Sequence, residues 1–145
     1  MTKEQIFETI NDINYPLFLA TMENGEPRVR GMMLYRADEN GIIFHTGAFK
    51  DVYNQIVSNP NVEFCFYNPK KNIQIRVHGK LEIVEDNSLK DEIANHPSRA
   101  FLKSWRESGT LEDFYNSFKV CRMKNGKANV WTFDTNFAPK EDIEL

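Results

Sequence analysis

Turn signals recur at short intervals along the sequence, at Asn24-Gly25, Asp38 to Gly41, Asn59-Pro60, Asn68 to Asn72 and Asn125-Gly126. They cut the chain into runs that suit strands better than long helices. Seven such runs are Leu17 to Met22, Arg28 to Arg36, Ile42 to Thr46, Val62 to Tyr67, Ile73 to Val84, Phe118 to Met123 and Ala128 to Phe133. The first three read as an antiparallel meander and the next two as a long hairpin. The last two read as a terminal hairpin, because Asn-Gly supplies the positive φ angles of a type I′ turn. Helical patterns are short. A capping box at Thr2 to Gln5 leads into Ile6, Ile10 and Ile13, and Lys50 to Ser58 carries an apolar stripe of Val52, Tyr53, Ile56 and Val57. Ser88 to Asn95 and Ser98 to Trp105 are two short helices separated by Pro97, and Leu111 to Ser117 is a third. The expectation is a mainly β chain, a small antiparallel barrel with short helices.

At 145 residues there is room for one domain, and 41% apolar residues with 11 Phe can bury a core. The net charge of −3 is unevenly placed: residues 134–145 hold four acids against Lys140, so residues 1–133 balance at 17 against 17. The organisation expected is one domain over 1–133 followed by an acidic tail. A neutral body argues against a general nucleic-acid binder. No apolar run approaches the roughly 18 residues of a membrane span, and MTKEQIFETI is no secretion signal, so a cytoplasmic protein is expected. Cys65 and Cys121 form no C-x-x-C and read as core residues. His45, His78 and His96 show no ligand spacing, so no metal site is expected.

Arg28 and Arg30 share one face of a strand. They can be a solvent-facing edge or one side of an anion site. The run His45-Thr46-Gly47-Ala48-Phe49-Lys50 enters a helix, where free amides, a hydroxyl and an ammonium converge. Thr46 can equally be a simple cap and Lys50 a solvated charge. If neighbouring strands bring the two elements together, they form a phosphate site. Between Arg28 and Lys50 four basic residues face Asp38 and Glu39, a local excess of +2. Neither G-x-x-x-x-G-K nor G-x-G-x-x-G occurs, so the pocket suits a mononucleotide rather than a triphosphate or dinucleotide domain. No G-x-S-x-G nucleophile is present. Gln74, Arg76 and His78 form a polar row opposite Ile73, Ile75 and Val77, either the wet face of a sheet or a cofactor or subunit contact. Trp105 and Trp131 are core, interface or cofactor aromatics.

The segments PRVRGMMLY, GIIFHTGAFKDVYNQIVSNPNVEFCFY and NIQIRVHGKLEIVED, in this order and spacing, resemble the FMN-binding split-barrel family related to pyridoxamine 5′-phosphate oxidase. The resemblance covers Leu17 to Asp86, and the last strands fit its end. It implies FMN as cofactor, with Arg28 or Arg30, Thr46 and Lys50 at the phosphate and Arg30, Gly31, Met32 and Met33 along the ring. It also implies His45 in the place of an aromatic, Gln74 reaching the flavin from a neighbouring strand or subunit, and Trp131 near the cofactor. The sequence departs from the oxidase at Tyr35, where a Lys is usual, in the single Lys50 after Thr46, and in lacking a closing Arg-x-His. The shorter, oxidase-like flavin proteins of the family are thus the better comparison.

The function expected from the resemblance is an oxidoreductase, a homodimer with FMN at the subunit interface, passing hydride or electrons between the flavin and a small-molecule substrate or electron donor. His45, Tyr35 and His78 are candidate acids or bases. The other reading is a non-catalytic carrier of flavin, or a binder of haem or deazaflavin.

Overall fold

The computed structural model describes residues 1–12 and 17–145. Helix α1 (Lys3–Asn11) starts at the capping box: Thr2 Oγ1 accepts from the Gln5 N–H, and Gln5 Oε1 accepts from the Thr2 N–H (2.8 Å). Ile6 and Ile10 are buried, while Ile13 lies outside the described residues. Strands β1 (Leu17–Glu23) and β2 (Glu26–Met32) form a hairpin through Asn24 and Gly25, both at positive φ as a type I′ turn requires. Strands β3 (Leu34–Asp38) and β4 (Gly41–Gly47) form the next hairpin, and β4 runs into helix α2 (Asp51–Ser58). Strands β5 (Asn61–Asn68) and β6 (Ile73–Val84) make the expected long hairpin. Helix α3 (Asn87–Ala94), a 3₁₀ segment (Pro97–Leu102), α4 (Lys103–Glu107) and α5 (Leu111–Ser117) lead to β7 (Phe118–Met123), β8 (Lys127–Thr132) and a short β9 (Ile143–Glu144). Pro97 opens the 3₁₀ segment, where its missing N–H costs no hydrogen bond.

The fold is mainly β and antiparallel, as expected, and its sheet does not close. The strand order is β2-β1-β5-β6-β7-β4-β3, with β8 on β6 and β9 on β8. Three expectations of connectivity are corrected. The Arg28 to Arg36 run is two strands, not one: β2 pairs with β1 and β3 with β4, so the chain steps between the two open edges at Met33 and the meander is interrupted. Strands β7 and β8 do not form a hairpin. Both pair with β6, β8 along Ile73 to His78 and β7 along Leu81 to Val84. Asn125 has positive φ, but Gly126 does not; a Cβ there would fall 2.8 Å from Val77 Cγ1, so this glycine serves close packing. The acidic segment is not wholly a tail, since Ile143 and Glu144 pair with Ala128 and Lys127, and Ile143 and Leu145 pack on the core.

Alternation along the strands fills the barrel interior with Leu19, Phe44, Phe64, Phe66, Ile75 and Val77. A second cluster, including Ile43, Ile93, Leu102, Phe114 and Phe118, lies on the other side of β4 and β7 beneath residues 87–117. Both faces of β4 are therefore buried, one by the barrel and one by the helical segment. Cys65 and Cys121 are free thiols in β5 and β7, and burial pushes the Cys121 thiol up to about 12.

Gly41 and Gly25 should respond differently to Ala. At Gly41 φ is +118° and a Cβ would meet the Met123 carbonyl at 2.6 Å, whereas at Gly25 φ is +78° with open space around it. Chemical denaturation should give a loss of at least about 2 kcal/mol for Gly41→Ala. For Gly25→Ala it should give only about 1 kcal/mol.

Candidate functional site

The break at Met33 leaves β2 at an open sheet edge, paired with β1 on one side. Its other side retains backbone donors and acceptors, which an edge strand offers to any partner. A cleft of about 960 Å³ lies against this edge, the C-terminal end of β4, the start of α2, and the 3₁₀ segment with α4. Arg28, Arg30, Gly31, Met32, Met33, His45, Thr46 and Lys50, all expected from the sequence, line this one cleft. Gln74 and Trp131 do not line it. They are paired with each other across β6 and β8, on the outer face of the sheet.

Arg30 is held from inside the protein. Its Nη1 donates to Leu19 O (3.1 Å) and Thr21 Oγ1 (2.8 Å), and its Nη2 donates to Gln55 Oε1. Gln55 Oε1 also accepts from the buried Thr21 hydroxyl (2.6 Å), and Gln55 Nε2 donates to Glu23 Oε2 (2.7 Å). A guanidinium has five N–H donors, so after these three bonds two remain, Nε–H and the second Nη2–H, on a fixed group. Burial pulls the Arg30 pKa down, opposed by the carboxylates of Asp51 and Glu23. Arg28 is spent differently: its guanidinium pairs with Glu26 (3.1 Å) and Glu23 (3.8 Å) and donates to Pro27 O.

Thr46 is buried, and among the described residues its hydroxyl has no hydrogen-bond partner. It is not the helix cap. Lys50 occupies that position without a side-chain cap bond; the Tyr53 N–H donates to Lys50 O (3.1 Å), while the Asp51 and Val52 amides stay free among the described residues and the positive helix end is open to an anion. The Lys50 ammonium is exposed and forms no ion pair among the described residues. Arg30, Thr46, Lys50 and the α2 amides together offer donors for a phosphate. The acids Glu23 and Asp51 share the cleft and keep its net charge near +1.

The other half of the cleft is apolar, walled by Met33, Phe49, Phe101, Leu102 and Trp105. Sequence reasoning did not find Phe101 and Leu102, because nothing local marks residues 97–105 as a roof over a site 50 residues earlier in the chain; Phe49 lies inside the His45 to Lys50 run, where its polar neighbours carry the signal. His45 sits under this roof, its ring 5.2 Å from Phe118 and 6.3 Å from Phe101. Its Nε2 accepts from Arg99 Nε–H (2.9 Å). Of the other candidate acids or bases, Tyr35 donates to Glu92 (2.7 Å) and lines no part of the cleft. His78 is exposed on the outer face of β6, opposite Glu63 and Lys127. Among the described residues there is no cluster of His, Cys, Asp or Glu able to hold a metal, and no helix is long and apolar enough to cross a membrane.

Burial, reinforced by the Arg99 charge, lowers the His45 pKa to about 4. The unfolded chain, with His near 6.5, binds the proton first, so stability is complete above about 6.5 and falls as pH drops towards 4. Wild type should lose on the order of 3 kcal/mol over this interval relative to His45→Gln, measured by urea unfolding at each pH.

Residues 2–116 match the family described as pyridoxamine 5′-phosphate oxidase. A curated relative from Agrobacterium fabrum, named pyridoxine/pyridoxamine 5′-phosphate oxidase, is 29% identical over 112 residues, covering 76% of this chain and 54% of that protein. The chain thus spans about half the length of the curated relatives it matches. Among solved structures, a NimC/NimA family protein from Clostridium acetobutylicum superposes with a TM-score of 0.76 at 22% identity, over 98% of this chain and 92% of that one. A pyridoxamine 5′-phosphate oxidase-related, FMN-binding protein from Nostoc punctiforme gives 0.58 at 18% identity, over 96% and 86%. At these identities the structures share the fold. With the family match covering most of the sequence, the chain belongs to the pyridoxamine 5′-phosphate oxidase family.

Proposed function

We propose that the cleft binds FMN and that the protein is an FMN-dependent oxidoreductase. The observation that carries this reading is the division of the cleft: a phosphate-donor set at Arg30, Thr46, Lys50 and the α2 N-terminus, joined to an apolar half by the free edge of β2. The residues fit the group. A phosphate there would find two Arg30 donors, the Thr46 hydroxyl and the Lys50 ammonium, all without partners among the described residues, while backbone groups of Gly31 to Met33 suit the polar edge of a flat ring. The Nostoc relative, described as FMN-binding, has the same fold.

Bound there, the flavin supplies hydride or single-electron transfer. The chain's part is to hold and screen. The Thr21–Gln55–Glu23 network fixes Arg30, the free edge of β2 would hold the ring, and Phe101, Leu102 and Trp105 would keep water from one side. A cleft of about 960 Å³ lies near the upper end of the usual range for ligand sites, leaving room for a small substrate. Among the described residues of one subunit, the apolar half of the cleft carries no cation.

We further infer a homodimer. The outer face of the β2-β1-β5-β6-β8 sheet exposes Val29 (70%), Phe18 (46%) and Tyr67, with Trp131 on the same face by strand register. This face is continuous with the cleft through Val29 and Gly31. A second copy docked on it carries its Gln74 and Trp131 towards the flavin, which accounts for their distance from the cleft of their own subunit.

Purified protein should be yellow and release FMN on denaturation, identified by mass; a colourless protein that takes up neither FMN nor FAD would sink the reading, and FAD alone would sink its cofactor. Lys50→Ala should weaken FMN binding by about 1.5–3 kcal/mol without changing stability. Arg30→Ala should weaken it at least as much and also destabilise the fold, because Gln55 and Thr21 lose a buried partner. Phe18→Glu should give a monomer by light scattering, with reduced flavin affinity; a stable dimer would place the interface elsewhere.

A further inference from the structure

Arg99 is a buried cation without a carboxylate. It is 4% exposed, yet no ion pair to it occurs among the described residues. Its fork is spent on neutral acceptors: Nε–H donates to His45 Nε2 (2.9 Å), Nη2 to Leu34 O (2.8 Å) and Nη1 to Ser98 Oγ (3.0 Å), with the guanidinium carbon 5.5 Å from the Tyr35 ring centre. Burying an arginine is costly unless its donors are satisfied and the geometry is fixed. Here the residue ties the 3₁₀ segment to both β3 and β4. The atom it reaches in β4 belongs to the one histidine that lines the cleft.

A histidine has two ring nitrogens, and an arginine can only donate. If Nε2 accepts from Arg99, Nε2 carries no proton, and in the neutral ring the proton resides on Nδ1. Among the described residues Nδ1 has no partner. We propose that Arg99 is a positioning residue that locks His45 as the neutral Nδ1–H tautomer, so that His45 offers the cleft a fixed hydrogen-bond donor and not a base. A ligand bound beside it must present an acceptor there, a carbonyl or an unprotonated ring nitrogen. For the identity of that acceptor the proposal rests on the flavin reading; the locked tautomer does not depend on it.

The surroundings of His45 carry the same logic. The charged group facing it is Arg99, from the 3₁₀ segment, while Phe101 and Phe118 cover the ring and Val120 and Thr46 are its neighbours on β7 and β4. Arg99 acts twice, by a hydrogen bond that selects the tautomer and by a charge that resists protonation, and the two can be separated. Arg99→Gln keeps an N–H donor but removes the charge. Arg99→Leu removes both, and Arg99→Lys keeps charge and donor but loses the fork.

Imidazole nitrogens of ¹⁵N-His-labelled protein, followed by NMR from pH 4 to 8 with and without added FMN, test this. Wild type should show a protonated Nδ1 and a pyridine-type Nε2 at His45 from pH 5 upwards. Arg99→Gln should keep that tautomer but titrate at higher pH, and Arg99→Leu should populate the Nε2–H tautomer as well. If Arg99→Leu does not fold, Arg99→Gln and Arg99→Lys carry the test. A wild-type His45 in the Nε2–H form, or a tautomer and titration indifferent to Arg99→Gln and Arg99→Lys, overturns the proposal. Absence of any response to FMN, with the locked tautomer present, counts against the flavin reading and leaves the role of Arg99 standing.

Discussion

Strand β6 is long enough to serve two sheets, and the rest of the molecule is arranged around that fact. Its first half pairs with β8 and its second with β7, while β5 runs along its other side. One backbone thus holds the two sheets together without a hairpin between β7 and β8. The price is an unclosed barrel. Strands β2 and β3 become two of the free edges, although they follow each other in sequence with Met33 alone between them. Backbone groups at such an edge need partners, and the cleft forms where β2 has none from the protein.

The side chains around that edge divide the work. Inside the barrel wall, Thr21, Gln55 and Glu23 satisfy one side of Arg30 and leave its remaining donors pointing to one task. Outside, residues 97–105 bring an apolar roof, anchored through Arg99 to Leu34 and His45. The polar half is tuned by acids: Asp51 and Glu23 lie close enough to Arg30 to offset part of its desolvation. The result is a weakly positive cleft in a chain whose overall charge is −3, favourable to one phosphate and not to a polyanion.

Much of this was legible in the sequence. The Asn24-Gly25 turn, the capping box at Thr2 and the alternation of β5 and β6 declare themselves through local rules, and the convergence of Arg30, Thr46 and Lys50 followed from short motifs in order. The break at Met33 was not legible, because Arg28 to Arg36 contains no turn residue other than Gly31; the edge exists through the pairing of distant strands. Asn125-Gly126 misled for a related reason. The dipeptide fits a hairpin, but β6 offers both neighbours a better partner and Gly126 is needed for its lack of a Cβ. Arg99 left only a faint signal, a charge beside Ala100, Phe101 and Leu102. Its partners stand 54 and 65 residues away, beyond any periodicity.

The short β9 has a meaning of its own. Without it, β8 would offer its outer backbone to any passing strand, the usual start of edge-to-edge aggregation. Ile143 and Glu144 cover that edge for two residues, and the Leu145 N–H donates to Gly126 O (2.9 Å). Just before β9, Glu141 O accepts from Asn129 Nδ2 of β8 (3.4 Å), and Glu141, Asp142 and Glu144 set three negative charges against Lys140 along this stretch. The segment that holds the acid excess of the whole chain thereby also supplies the strand that covers the β8 edge, where its like charges oppose edge-to-edge pairing of copies.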